Sequence, residues 1–168
     1  VCVSVQKVFV HESRLDEFRK KLVKLAEKLV VGDPTDEKTE VGPLIQENEV
    51  NRVHQWVNEA KMAGAKILTG GKKIGNTCYA PTVILNPPDE AMVSTHEIFG
   101  PVINIYSFKD RLRAIERANL TPFSFQAAVF TKSIDTALDT SKRINAAAVM
   151  INDHTAFRVD WMPFGGRK

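Results

Sequence analysis

The chain has only two cysteines in 168 residues, Cys2 and Cys78, far apart and without the paired spacing of a zinc site or a disulfide framework. A disulfide-stapled fold is thereby disfavoured, and a reducing, cytoplasmic setting is expected. Its four histidines, His11, His54, His96 and His154, stand singly, with no helical pair to place two ligands on one face, so no metal site is expected. No apolar stretch approaches the roughly 20 residues of a membrane span, and the chain does not open on a basic segment followed by an apolar one; neither a membrane nor secretion is expected. Lys and Arg total 23 against 20 Asp and Glu, a net charge of +3. They are scattered through amphipathic segments rather than gathered in a basic run, which argues against nucleic acid as a partner. What is left is an ordinary globular composition, 43% hydrophobic and 26% charged, long enough to bury one sizeable core.

Periodicity organises that core. A β-branched run from Val3 to Val10 reads as a largely buried strand. A helix follows, with Ser13 as its cap and Leu15, Phe18, Leu22, Leu25 and Leu29 on one face until Gly32-Asp33-Pro34 ends it. Val50, Val53, Val57 and Ala60 mark a second helix that stops at Gly64. Short strands are expected at Ala65 to Leu68, Thr82 to Leu85 and Val102 to Tyr106. Then come a helix from Asp110 to Ala118, a strand from Ala127 to Thr131, a helix from Ser133 to Ile144 and a strand from Ala147 to Ile151. Doubly apolar strands alternating with one-striped helices imply an α/β fold, a mostly parallel sheet flanked by helices.

Three segments carry chemistry. Cys2 stands just before the first strand, where a thiol could face a cleft, although a lone cysteine is more often an inert packing residue than a nucleophile. Glu97-Ile98-Phe99-Gly100-Pro101 sets a carboxylate two residues before an aromatic ring and then turns rigidly into a strand. A carboxylate accepts hydrogen bonds from the vicinal hydroxyls of a ribose and a ring can lie against a flat heterocycle; the plain alternative is a surface Glu beside a core Phe. The tail, Met162-Pro163-Phe164-Gly165-Gly166-Arg167-Lys168, is an apolar loop whose glycines permit close backbone approach.

Together with Ala118-Asn119-Leu120-Thr121-Pro122 and Ala128-Val129-Phe130-Thr131, these segments resemble the aldehyde dehydrogenase superfamily, in order and over essentially the whole length. The resemblance begins at the catalytic cysteine and stops inside the Pro-Phe-Gly-Gly loop. It implies residues 1–168 as a single catalytic domain of that fold, with the cofactor-binding domain absent. It implies Cys2 as the nucleophile, Glu97 and Phe99 at the nicotinamide ribose and ring of NAD or NADP, Arg52 where the family often has a ribose-contacting Lys, and Phe164 at the substrate tunnel. Arg158, in the loop from Asn152 to Pro163, is either a solvated loop residue or a group favouring aldehydes with a distal anion. The implied chemistry is thiolate addition to a small aldehyde, oxidation to a thioester and hydrolysis to the acid. In the family an Asn and a Glu from upstream of the cysteine serve as oxyanion donor and base, so these residues alone are expected to be inactive, and a cysteine at a chain end is expected to fray. A homo-oligomer is implied for the full-length enzyme. Two departures stand out: His96 where a second acid is common, and Phe123-Ser124-Phe125 where Tyr-Gly-Leu is common. The competing readings are a noncatalytic interaction or scaffold fragment and a stand-alone thioesterase, the latter with no His or Glu placed by motif as its base.

Overall fold

The computed structural model describes residues 2–162, 164 and 165. Val1, Pro163, Gly166, Arg167 and Lys168, which belong to the two end motifs read above, lie outside them. The chain divides into two compact units: one spans Gln6–Lys109, and the other joins the first residues to those from Asp110 onward.

In the first unit, β1 (Lys7–His11) leads directly into α1 (Glu12–Ala26). The cap is not Ser13. His11, in extended backbone, accepts the Ser13 N–H on its ring Nδ1, so the helix begins two residues earlier than a Ser13 cap would allow. It also ends at Ala26, well before Gly32. Leu15, Phe18, Leu22, Val23 and Ala26 pack against the sheet residues Val10, Val83, Leu85 and Ile105, whereas Leu25 and Leu29 have turned outward and are 63% and 39% exposed. Further turns with no apolar face to bury gain little.

Next, α2 (Glu47–Met62) buries all four residues of its expected stripe, Val50, Val53, Val57 and Ala60. Past its end Gly64 takes a left-handed φ of 100° and the Ala65 N–H returns to the Ala60 carbonyl at 3.0 Å, a glycine-dependent stop. Then come β2 (Lys66–Thr69), the two-residue strands β3 (Lys73–Ile74) and β4 (Cys78–Tyr79), β5 (Thr82–Leu85), α3 (Met92–Thr95) and β6 (Val102–Phe108). The β3–β4 hairpin and α3 are too short to show a period in sequence.

The main sheet runs β1-β6-β5-β2, with β6 parallel to both β1 and β5 and with β2 antiparallel on one edge. Successive β5 residues alternate between two cores. Val83 and Leu85 meet α1, while Ile84 joins Val50, Val53, Val57, Val93, Ile98 and Val102 under α2. Tyr79 is buried in that second core, its hydroxyl 3.2 Å from His54 Nδ1, while His54 Nε2 lies 3.0 Å from Asn58 Nδ2. Burial pushes the phenol up to about 12, so it stays protonated throughout the physiological range.

The second unit keeps the expected alternation of α4 (Arg111–Ala118), β7 (Gln126–Val129), α5 (Ile134–Arg143) and β8 (Ala148–Ile151). Asp110 and Ser133 cap the two helices with their side chains. β7 and β8 pair in parallel as a sheet of their own, so the parallel strands fall into two sheets where alternation alone implies one. Asp139 ties α5 to α4 through Arg111 at 2.7 Å and accepts from Arg143 at 2.8 Å; hydrogen bonds from Arg111 and then Arg143 hold its carboxyl below the usual carboxylate range. Among the described residues no helix is long and apolar enough to cross a membrane.

Candidate active site

The Glu-Ile-Phe-Gly-Pro segment is the connection from α3 into β6. Glu97 and Phe99 are exposed while Ile98 between them is 1% exposed and packed in the core under α2. Phe99 has φ +51°, a left-handed conformation that costs a bulky residue on the order of 1–3 kcal/mol and persists only where its surroundings over-determine it. They do so here. The Ile98 N–H donates to Gln6 Oε1 at 2.9 Å, Gln6 Nε2 donates to the His96 carbonyl at 2.6 Å, and Arg52 Nη2 donates to the Ile98 carbonyl at 2.7 Å. On the far side Gly100 abuts α2 so closely that a Cβ there would sit 3.1 Å from Val53 Cγ2. The acid and the ring thus stand on a rigid pedestal rather than a loose loop.

Arg52, read from sequence as a cofactor contact, stands beside that pedestal with its guanidinium already engaged. It pairs with Glu49 at 2.6 Å, lies 4.3 Å over the Trp56 ring and holds the Ile98 carbonyl, with 25% of its side chain exposed. His96, one of the departures from the family pattern, brings its ring to 5.6 Å from Trp56. Glu49 and Trp56 were legible in principle, because they lie three residues before and four after Arg52 on one helix face. Gln6 was not, since it reaches Ile98 across 92 residues of sequence.

The remaining candidates lie in the second unit. Cys2 is an exposed free thiol in a turn. Its neighbour Val3 gives its carbonyl to the Thr155 hydroxyl at 2.7 Å, which ties the segment carrying the thiol to the loop after β8. After β8, Asn152 takes φ +55° and its side chain bonds both the N–H and the carbonyl of Thr131, each at 2.9 Å, which fixes where the following loop departs. That loop brings Arg158 to 5.0 Å from the ring centroid of Phe164, with Arg158 Nη2 also donating to the Met162 carbonyl at 3.2 Å. Arg158 and Phe164, each expected near the substrate on separate grounds, are therefore neighbours. A third aromatic, Phe125, lies 4.7 Å from Phe164 between centroids; it comes from the Phe-Ser-Phe departure.

These features describe an α/β protein with mostly parallel strand pairing that presents a free thiol, a clamped acid–aromatic loop and an arginine–aromatic cluster. Residues 1–168 match the aldehyde dehydrogenase family, and the chain belongs to it. It is 40% identical over its whole length to a 3-sulfolactaldehyde dehydrogenase of Priestia megaterium, covering 35% of that protein. Its fold superposes on aldehyde dehydrogenase 21 of Physcomitrella patens, solved with the reaction product succinate, with a TM-score of 0.95 and 38% identity over 100% of this chain and 35% of the other. For a glyceraldehyde-3-phosphate dehydrogenase of Methanocaldococcus jannaschii solved with NADP, the TM-score is 0.93 at 38% identity, over 100% of this chain and 36% of the other. The chain thus spans about a third of the length of the proteins it matches.

Proposed function

We propose that this chain is the cysteine-bearing catalytic part of an enzyme that oxidises an aldehyde to a carboxylic acid with NAD or NADP as acceptor, the dinucleotide being held mainly by residues outside it. The observation that carries this reading is the loop around Ile98: an exposed carboxylate and an exposed ring, two residues apart, on a backbone bonded from both sides. Glu97 can accept from the ribose hydroxyls, Phe99 can flank the nicotinamide, and Arg52 adds a cation beside them. A bound nicotinamide supplies the two-electron acceptor.

Cys2 supplies the nucleophile. Its sulfur, as thiolate, adds to the carbonyl carbon and the oxygen takes the charge, stabilised in part by the Cys2 backbone N–H. Loss of the aldehydic hydrogen with its electron pair leaves a thioester on Cys2. Water adds to that carbonyl, the C–S bond breaks, and the acid departs with the thiolate restored. The side-chain oxyanion donor and the base that the family draws from upstream of the cysteine are not among these residues. The purified 168-residue chain is therefore expected to show no aldehyde oxidation and no thermal shift with millimolar NAD or NADP, while the full-length protein carrying it forms reduced cofactor when given aldehyde. Oxidation by the chain alone would overturn its inactivity, and a full-length protein inert toward aldehydes would overturn the assignment. The reading extends to a cytoplasmic, homo-oligomeric whole enzyme, a setting in keeping with the scarcity of cysteine.

The arginine–aromatic cluster directs the choice of substrate. Arg158 over Phe164 places a planar cation, suited to a carboxylate, sulfonate or phosphate, beside an apolar wall. Relatives named for a sulfonate-bearing and a phosphate-bearing aldehyde, and one solved with a dicarboxylate, are in keeping with that choice. Arg158→Ala is expected to lower kcat/KM about tenfold to a hundredfold for aldehydes with a distal anion, the worth of a charged hydrogen bond, and to leave neutral aldehydes unaffected. Equal specificity constants for both classes in the parent and the variant would remove Arg158 from recognition.

A further inference from the structure

We propose that Gln6 is a positioning residue for hydride transfer: acting with Arg52, it locks three consecutive peptide groups so that Glu97 and Phe99 are presented in one geometry. This rests on the reading of Glu97 and Phe99 as nicotinamide and ribose contacts, and it deepens it.

The Gln6 amide uses both of its ends on this loop. Oε1 accepts the Ile98 N–H at 2.9 Å, and Nε2 donates to the His96 carbonyl at 2.6 Å and to the Val93 carbonyl at 3.3 Å. The His96 carbonyl belongs to the peptide before Glu97 and the Ile98 N–H to the peptide after it, so one side chain fixes the backbone on both sides of the carboxylate. Arg52 takes the next peptide, the one that precedes Phe99, through the Ile98 carbonyl. Both clamping residues are themselves held. The Gln6 carbonyl accepts the Asn104 N–H at 2.8 Å where β1 meets β6, and Arg52 is braced by Glu49 and Trp56. The buried Ile98 side chain already anchors the loop to the core, so what Gln6 adds is orientation. Only an amide serves at this reach: a carboxylate lacks the donor and would face two carbonyl oxygens, and a methionine offers neither partner.

The test uses the full-length enzyme and the variants Gln6→Met, Arg52→Met, Arg52→Lys and Glu97→Ala. Gln6→Met is expected to lower kcat about tenfold, a fraction of what a 1 Å misplacement costs, with a raised cofactor KM, an unchanged aldehyde KM and a melting temperature lowered by no more than a few degrees. Hydrogen exchange at the Ile98 amide should quicken. Arg52→Met should behave likewise, and Arg52→Lys, which keeps one donor for the Ile98 carbonyl, should recover most of the rate. Because Gln6 acts through Glu97, Gln6→Met in the Glu97→Ala background should cost little more. Fully additive losses, a neutral Gln6→Met beside a damaging Glu97→Ala, or a rate loss that only tracks a lowered melting temperature would each overturn the positioning role. A Glu97→Ala enzyme of parental rate would overturn the reading of the site beneath it, and this proposal with it.

Discussion

Replacing Cys2 with serine in the full-length enzyme is expected to abolish aldehyde oxidation, a loss of about 10⁴-fold or more, the scale seen when a catalytic nucleophile is removed. The argument lies in the two halves of the chemistry. A serine hydroxyl is a far weaker nucleophile than a thiolate, and an oxygen ester yields to water less readily than the thioester, so both halves suffer. The substitution is conservative in volume, and the anchor beside it, the Thr155 hydroxyl on the Val3 carbonyl, uses backbone that it does not alter. Affinity for NAD or NADP, measured by equilibrium binding, should therefore match the parent. Steady oxidation by Cys2→Ser at more than a small fraction of the parental rate would remove Cys2 from the mechanism, and a collapse of cofactor binding would show a structural rather than a chemical part.

For Glu97→Ala the expectation is a different pattern: a fall in hydride-transfer rate on the order of a hundredfold, the cost of a displacement of about 1 Å, with a smaller change in cofactor affinity. The dinucleotide is proposed to be held mainly elsewhere, so one ribose contact contributes little to overall binding and much to where the ring comes to rest. Glu97 is well placed for that task. It is exposed, and both peptide groups flanking it are bonded to Gln6, so its carboxylate starts from a fixed backbone. Single-turnover rates with deuterated aldehyde are the measurement. An increased isotope effect with slower turnover supports the role, and an unchanged isotope effect with unchanged turnover sinks it.

The sequence specifies its elements most clearly where the information is itself local. The stripe of Val50, Val53, Val57 and Ala60 became α2 as spaced, and β5 runs from Thr82 to Leu85 as expected. In α1 the same logic overshot. A run of leucines says which residues could be buried, while the sheet beneath decides which are, and it chose Val23 and Ala26 over Leu25 and Leu29. The clamp on Ile98 was beyond reach for another reason: its donors and acceptors come from Gln6 and Arg52, 92 and 46 residues away, and no periodicity reports a long-range polar contact. Phe125 carries a similar lesson. In the sequence it is no more than a departure from a family pattern, yet it lies against Phe164, so the departure bears on the cluster proposed to choose the substrate.

The bond between Val3 and Thr155 spans 152 residues, and that separation has a consequence for biosynthesis. At roughly 5–20 residues per second, a ribosome adds the threonine about 8–30 s after the valine. Throughout that interval the segment carrying the thiol has been made while its anchor has not. Contacts that join distant stretches of chain form late, so Cys2, among the earliest of these residues to be synthesised, is among the last to be set in place. An oxidant or electrophile meeting the nascent chain would find that sulfur untethered, a window of vulnerability that closes only when the loop after β8 has been made and folded back.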